Sequence, residues 1–246
     1  GLKEELVDDL RCVADAQFAW GVNRVVWHGK PFSTEKDPKR FYASVHVGDD
    51  GKLAKDLLPF NGYLEKASDY MSRGETYSKL AVYFPLEDQW MKNELPEELR
   101  KPSSNFYWEL QEVHLDDDLL KYRPLWFSKE WLKELEYEKP FFKYRKITFE
   151  AFLVDSEWIT LDSLQQLARL RKEGAPVIFK RWPKEPGKIK HEEFQILIKQ
   201  MQQQEQIELT SIRPILESDQ ILDFWCRKDG EIYYLFIAHP KMRKLR

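Results

Sequence analysis

Cysteine is scarce: Cys12 and Cys226 are the only two among 246 residues. Their separation forms no metal-type pair, and both read as small buried hydrophobes, with a disulfide as the alternative. Long apolar runs are missing too. No stretch approaches the roughly twenty apolar residues needed to cross a bilayer, and the start Gly1-Leu2-Lys3-Glu4-Glu5 reads as a charged helix opening, not a signal peptide. Net charge is only -3, which argues against a protein whose main task is gripping nucleic-acid phosphates. The devices of self-standing α/β enzymes are also absent. There is no Gly-rich phosphate loop, no Gly-x-Ser-x-Gly or Gly-x-Cys-x-Gly elbow and no His-Glu-x-x-His. The segment His191-Glu192-Glu193-Phe194 lacks a second histidine at the required spacing, and His46, His114 and His239 show no ligand spacing. Neither a cofactor nor a metal is expected.

What remains is a chain able to build a sizeable core, with 42% hydrophobic and 33% charged residues. Nine Trp, eleven Tyr and fifteen Phe suit a large core and also suit proteins that stack flat ligands such as sugar rings or bases. Apolar spacing predicts a helix over 3–19 (Leu6, Leu10, Val13, Ala14, Phe18), ended by Gly21. A short strand at 22–28 follows, and then a long polar stretch to about Pro59. A helix is predicted over 61–73, a doubly buried strand over 78–85 and a short helix over 128–137, with Ser128 capping and Trp131, Leu132 and Leu135 inward. Another short helix is expected from Asn105 through Leu110.

From there the alternation is regular: a strand at 149–156, a helix at 161–172 capped by Thr160 or Asp162, a strand at 175–180 and a helix at 189–203. Short connections between alternating strands and helices predict an α/β fold, a three-layer arrangement in which a mostly parallel sheet is flanked by helices. Two strand-like runs around Asp229-Gly230 predict a C-terminal β-hairpin.

His28 is the sharpest candidate for function. At the carboxyl end of a strand, before Gly29, an imidazole can contact substrate or move protons near neutral pH; a histidine satisfied within the core is the competing reading. Carboxylates are plentiful (Glu87, Asp88, Glu94, Glu109, Glu112), but sequence cannot pair two of them across a sugar as a glycosidase requires. The run Asp116-Asp117-Asp118 reads as a solvated helix start rather than a calcium loop, since the EF-hand spacing is absent. The basic segment 180–191 reads either as a holder of an anionic or sugar ligand or as a solvated loop.

Five ordered blocks, "AWGVNRVVWHGKPFS", "AVYFPLEDQW", "ELPEELRKPSSNFYWELQEVH", "EGAPVIFKRWPKEPGKIK" and "DFWCRKDGEIYYLFIAHP", together resemble a segment of bacterial glycoside hydrolases related to the family 106 α-L-rhamnosidases. The resemblance implies three regions. Residues 1–58 would be the terminal βα element of a catalytic barrel plus a long loop. Residues 59–208 would be a flavodoxin-like, class I glutamine-amidotransferase-like domain, of the kind that mediates trimerisation in some β-galactosidases. Residues 209–246 would be a hairpin opening a β-rich domain. It implies catalytic carboxylates in a barrel preceding residue 1, so no catalytic residue is assigned here; His28 alone carries over, as a substrate-binding contact. The expected partners are a carbohydrate and either the missing barrel or a second copy of the chain, with no nucleic acid and no membrane. Self-association or disorder is expected around 29–58. A periplasmic or extracellular location follows if the chain belongs to an exported polysaccharide-degrading enzyme. The alternatives are a small self-standing hydrolase using His28 with Glu87 or Asp88, and a protein-interaction domain without sugar contact.

Overall fold

A computed structural model describes residues 6–27, 52–91 and 115–238. In chain order these form α1 (Val7–Phe18), α2 (Ala54–Ser72), β1 (Glu75–Thr76), β2 (Leu80–Tyr83), α3 (Leu86–Met91), α4 (Asp117–Leu120), β3 (Leu125–Phe127), a 3-10 helix (Lys129–Glu134), β4 (Glu136–Glu138), β5 (Phe141–Tyr144), β6 (Ile147–Phe149), β7 (Ala151–Val154), α5 (Leu161–Lys172), β8 (Val177–Phe179), α6 (Glu192–Gln202), a 3-10 turn (Leu209–Ser211), β9 (Phe224–Asp229) and β10 (Ile232–Ile237). The described residues fall into two compact units, Tyr77–Glu217 and the remainder on either side of it.

The Tyr77–Glu217 unit is organised by a four-stranded sheet in the order β3-β2-β7-β8, with every pairing parallel. The runs that make β2 and β7 are apolar at every position because both sheet faces are covered. Alternation sends Ala81, Tyr83, Phe152, Val154 and Val177 to one face, where Leu164, Leu167 and Leu170 of α5 and Phe194, Ile198 and Met201 of α6 pack. Leu80, Val82, Ala151, Leu153 and Ile178 take the other face, against Leu119 of α4, Tyr122, Leu209 and Ile212. That is the expected three-layer α/β arrangement, each fully buried large side chain contributing about 1.5–3 kcal/mol.

α5 forms where its spacing requires. Thr160 is its N-cap, Leu164, Leu167 and Leu170 recur on the inward face, and Gly174 at φ +82° takes the left-handed turn after the last residues. β4, β5 and β6 add an antiparallel meander, which closes the first face with an aromatic cluster: Phe142 stacks on Phe149 at 5.0 Å, and Phe127 meets Phe152 edge-on at 5.5 Å. The segment expected as a helix over 128–137 is a 3-10 turn that becomes β4. Leu132 and Leu135 are buried as expected, but Trp131 is not inward: one face stacks on Tyr144 while the ring stays open to solvent.

In the other unit, Ala14 and Phe18 of α1 pack with Phe60, Leu64, Ala67 and Met71 of α2, and Tyr234 and Phe236 of β10 lie against them. Val13, expected on the inward face of α1, is exposed. α2 starts at Ala54, earlier than expected, and runs through Pro59; residues 54–58 are helical rather than part of a polar loop. β9 and β10 form the expected hairpin around Gly230, and β1 joins it in the order β1-β9-β10. Arg227 fastens this sheet to the end of α2, donating from Nε to the Arg73 carbonyl at 2.9 Å and from Nη1 to Thr76 Oγ1 at 2.8 Å. These bonds join the hairpin to the end of α2 within one unit, whose boundaries with the other fall at 76/77 and 217/218.

The strand expected at 22–28 is not formed over residues 22–27. Val26 is 83% exposed, while Val25 lies against the α1–α2 core and Trp27 packs on Phe60 of α2, its Nε1 donating to Asn61 Oδ1 at 2.9 Å. A side-chain seat on a helix replaces ladder pairing. His28 itself, the stretch 28–51 and the helix expected over 105–110 lie outside the described residues.

Candidate functional site

The strand order sets where to look. A chain that runs from a first strand to a neighbour on one side, then crosses to the other side of the first, leaves diverging loops at the carboxyl ends of the two inner strands; open parallel sheets bind ligands there. In this chain the inner strands are β2 and β7; Glu87 and Asp88 follow the first in the opening turn of α3, and Asp155, Ser156 and Trp158 follow the second in the β7–α5 loop.

Glu87 is 0% exposed. Its Oε2 accepts from the Tyr83 hydroxyl at 3.1 Å, and Oε1 faces Lys129 Nζ at 3.5 Å without a hydrogen-bond partner among the described residues. Tyr83 Oη also lies 3.1 Å from Ser163 Oγ in the first turn of α5. Burial raises the Tyr83 phenol far above its ordinary range; the Ser163 hydrogen bond opposes the shift and the Glu87 charge adds to it. The phenol therefore stays protonated and serves Glu87 as a donor. Ser156, two residues past β7, is also fully buried, and its Oγ has no partner among the described residues.

Asp88 is committed to the backbone. Its Oδ2 accepts from Glu157 N–H at 2.9 Å and its Oδ1 from Trp158 N–H at 2.7 Å. These two donors, in the loop between β7 and α5, are of the kind that would cradle a ligand phosphate in such a sheet; here the chain's own carboxylate takes them. Asp162, in the first turn of α5, is held below its ordinary range: burial raises it, but the Thr160 hydroxyl, the Ser163 N–H and Lys129 outweigh that effect.

The basic segment 180–191 is largely neutralised by acids around it. Lys180 pairs with Asp116 and lies 3.3 Å from Asp155, Arg181 reaches Asp155 at 2.8 Å and Lys184 reaches Glu157 at 2.9 Å. Glu185, buried, accepts from His191 N–H at 2.8 Å and pairs with the His191 ring, while Lys190 donates to the Glu185 carbonyl. Burial drives Lys180 toward neutrality, but Asp116 and Asp155 reverse it and raise its pKa; Asp116 is lowered in turn, chiefly by the Lys180 hydrogen bond.

Of the candidates read from sequence, the structure places Glu87 and Asp88 at this edge as interior ties. Asp116, first of the aspartate run, precedes α4 and pairs with Lys180. Glu94, Glu109, Glu112, His28, His46, His114 and His239 lie outside the described residues. Among the described residues no group of His, Cys, Asp or Glu is arranged to hold a metal ion, and no helix is long and apolar enough to cross a membrane. Cys226 is buried and Cys12 half-buried, both as free thiols. Sequence reading missed Ser156 and Lys129. Ser156 carried one signal, its place at the end of the strand expected over 149–156; Lys129 carried none. Comparison of the chain with protein-family models, with curated proteins and with solved structures finds no match in any of the three.

Proposed function

We propose that this chain is a non-catalytic α/β module of a carbohydrate-active glycoside hydrolase, with an architectural, oligomerising or sugar-site-lining role. The observation that carries the reading is the use of Asp88. At the sheet edge where a doubly wound enzyme would bind phosphate or display a nucleophile, two successive backbone donors of the β7–α5 loop are taken by an internal carboxylate. Glu87 is likewise enclosed by Tyr83 and Lys129. Both acids that a self-standing hydrolase would recruit are thus engaged in holding loops together, which counts against that alternative. The choice of carbohydrate rests on the five blocks that resemble rhamnosidase-related hydrolases and on the wealth of aromatic residues.

The test is hydrolysis of a panel of aryl glycosides, α-L-rhamnoside included, by the 246-residue chain and its His28→Ala variant. No turnover above background by either protein is expected. Turnover that His28→Ala abolishes would overturn the module reading in favour of the small hydrolase.

A further inference from the structure

Each of the four parallel strands is followed within a few residues by a tryptophan: Trp90 after β2, Trp131 after β3, Trp158 after β7 and Trp182 after β8. Four of the nine tryptophans therefore lie along one edge, the carboxyl edge where sheets of this order bind ligands. None of the four is fully buried. Trp90 is 59% and Trp131 41% exposed, and Trp158 and Trp182 are half-buried. An indole left open to water forgoes a large apolar gain, and Trp90 and Trp131 leave that area open after two neighbouring strands of the sheet.

Their supports are built in from behind. Trp131 stacks on Tyr144 at 5.6 Å and Trp182 on Phe179 at 4.7 Å, so each ring is braced on one face. Lys129 Nζ sits 5.2 Å from the centre of the Trp90 ring and 3.5 Å from Glu87 Oε1, a fully buried carboxylate oxygen without a hydrogen-bond partner among the described residues.

Flat indoles can receive nucleobases or pyranose rings, and charge decides between them. Single-stranded nucleic acid requires a basic groove along its backbone. Here Lys180 and Arg181 are paired with Asp116 and Asp155, and Lys184 with Glu157, so this edge offers little excess positive charge. We infer that the carboxyl edge of the sheet is a binding surface for a neutral glycan, with Trp90 and Trp131 as the stacking platforms. The inference rests on the carbohydrate-module reading and gives it a place on the molecule.

Intrinsic tryptophan fluorescence and titration calorimetry of the 246-residue chain test it, with the neutral oligosaccharides cellohexaose, xylohexaose and mannohexaose as probes and oligo(dT) as the charged competitor. Binding of at least one saccharide is expected, weakened about tenfold, the scale of one lost aromatic stack, by Trp90→Ala. Trp131→Ala is expected to act likewise, and Trp20→Ala, in the other unit, to leave affinity unchanged. Trp90 is the decisive variant, because so exposed a ring can be truncated without emptying the core; near-ultraviolet circular dichroism verifies the fold of each. Saccharide binding undiminished in both Trp90→Ala and Trp131→Ala would overturn the edge assignment while leaving the module reading intact. Binding of oligo(dT) in preference to every saccharide, or of no saccharide at millimolar concentration, would overturn the glycan assignment. Hydrolysis of aryl glycosides would instead overturn the module reading itself.

Discussion

Asp88 accepts the backbone N–H of Trp158 at 2.7 Å, across seventy residues of sequence, and so ties the turn after β2 to the turn after β7. The neighbouring N–H of Glu157 donates to the same carboxylate at 2.9 Å. One short acidic side chain thereby satisfies two donors that open a loop at the sheet's switch point, where the scaffold would otherwise be loosest.

Asp88→Ala is accordingly expected to lower unfolding free energy by about 1.5–3 kcal/mol, the range for a charge-assisted hydrogen bond lost from a partly buried site. Asp88→Asn, which keeps one acceptor, is expected to cost less. Urea denaturation followed by far-ultraviolet circular dichroism measures both; an unchanged midpoint for Asp88→Ala would show that the loop stands without the tie.

Gly74 makes a second, sharper demand. It sits at φ +52°, and a Cβ there would lie 2.0 Å from the Lys228 carbonyl oxygen and 2.6 Å from its carbon, both backbone atoms of β9. Backbone cannot step aside as a flexible side chain can. Gly74→Ala therefore combines left-handed strain with a clash at the β1–β9 pairing. A loss of about 2 kcal/mol or more is expected, read as a lowered thermal midpoint together with faster hydrogen exchange at Arg227 and Lys228. Retention of wild-type exchange there would refute the clash.

The elements legible in the sequence are those whose local signals agree with their burial. α5 combined a capping threonine, leucines at 164, 167 and 170 and a terminal glycine, and the structure has it over the expected residues. β2 and β7 announced themselves as apolar runs because both of their faces are covered. The meander β4 to β6 carried no comparable signal: its strands have three or four residues, and Glu136, Glu138 and Lys143 interrupt the apolar pattern. For the candidate site, Glu87 and Asp88 stood out as carboxylates, but their use did not. Asp88 is recognised by backbone donors sixty-nine and seventy residues away, and backbone carries no sequence signature. The tryptophans at the strand ends became a set only once the parallel order was established.

Cys226 yields a chemical prediction. Burial alone pushes its thiol up to about 11, so at pH 8 almost none of it is the reactive thiolate. Cys12 is half-buried. A thiol-specific chromogenic reagent at pH 8 is expected to titrate at most one cysteine in the folded chain and two in denaturant, with Cys226→Ser leaving the native reading unchanged. Two rapid equivalents in the native chain would place Cys226 in contact with solvent.

Glu185 fixes the direction of acid sensitivity in the 180–191 segment. Burial raises its carboxyl, but the His191 N–H, the His191 ring and Lys190 outweigh that and hold it below its ordinary 4.5. A group depressed in the folded state contributes stability that is fully present above its unfolded value and is lost as pH falls through the folded one. The contribution of this pair is thus intact at neutral pH and disappears below about pH 4.5. Glu185→Gln lacks the charge at every pH, so it should be less stable than the parent at pH 7, with the two urea midpoints converging as pH falls toward about 3. Midpoints that coincide at pH 7, or that differ by the same amount across that range, would show that the Glu185 charge contributes no pH-dependent stability to the folded state.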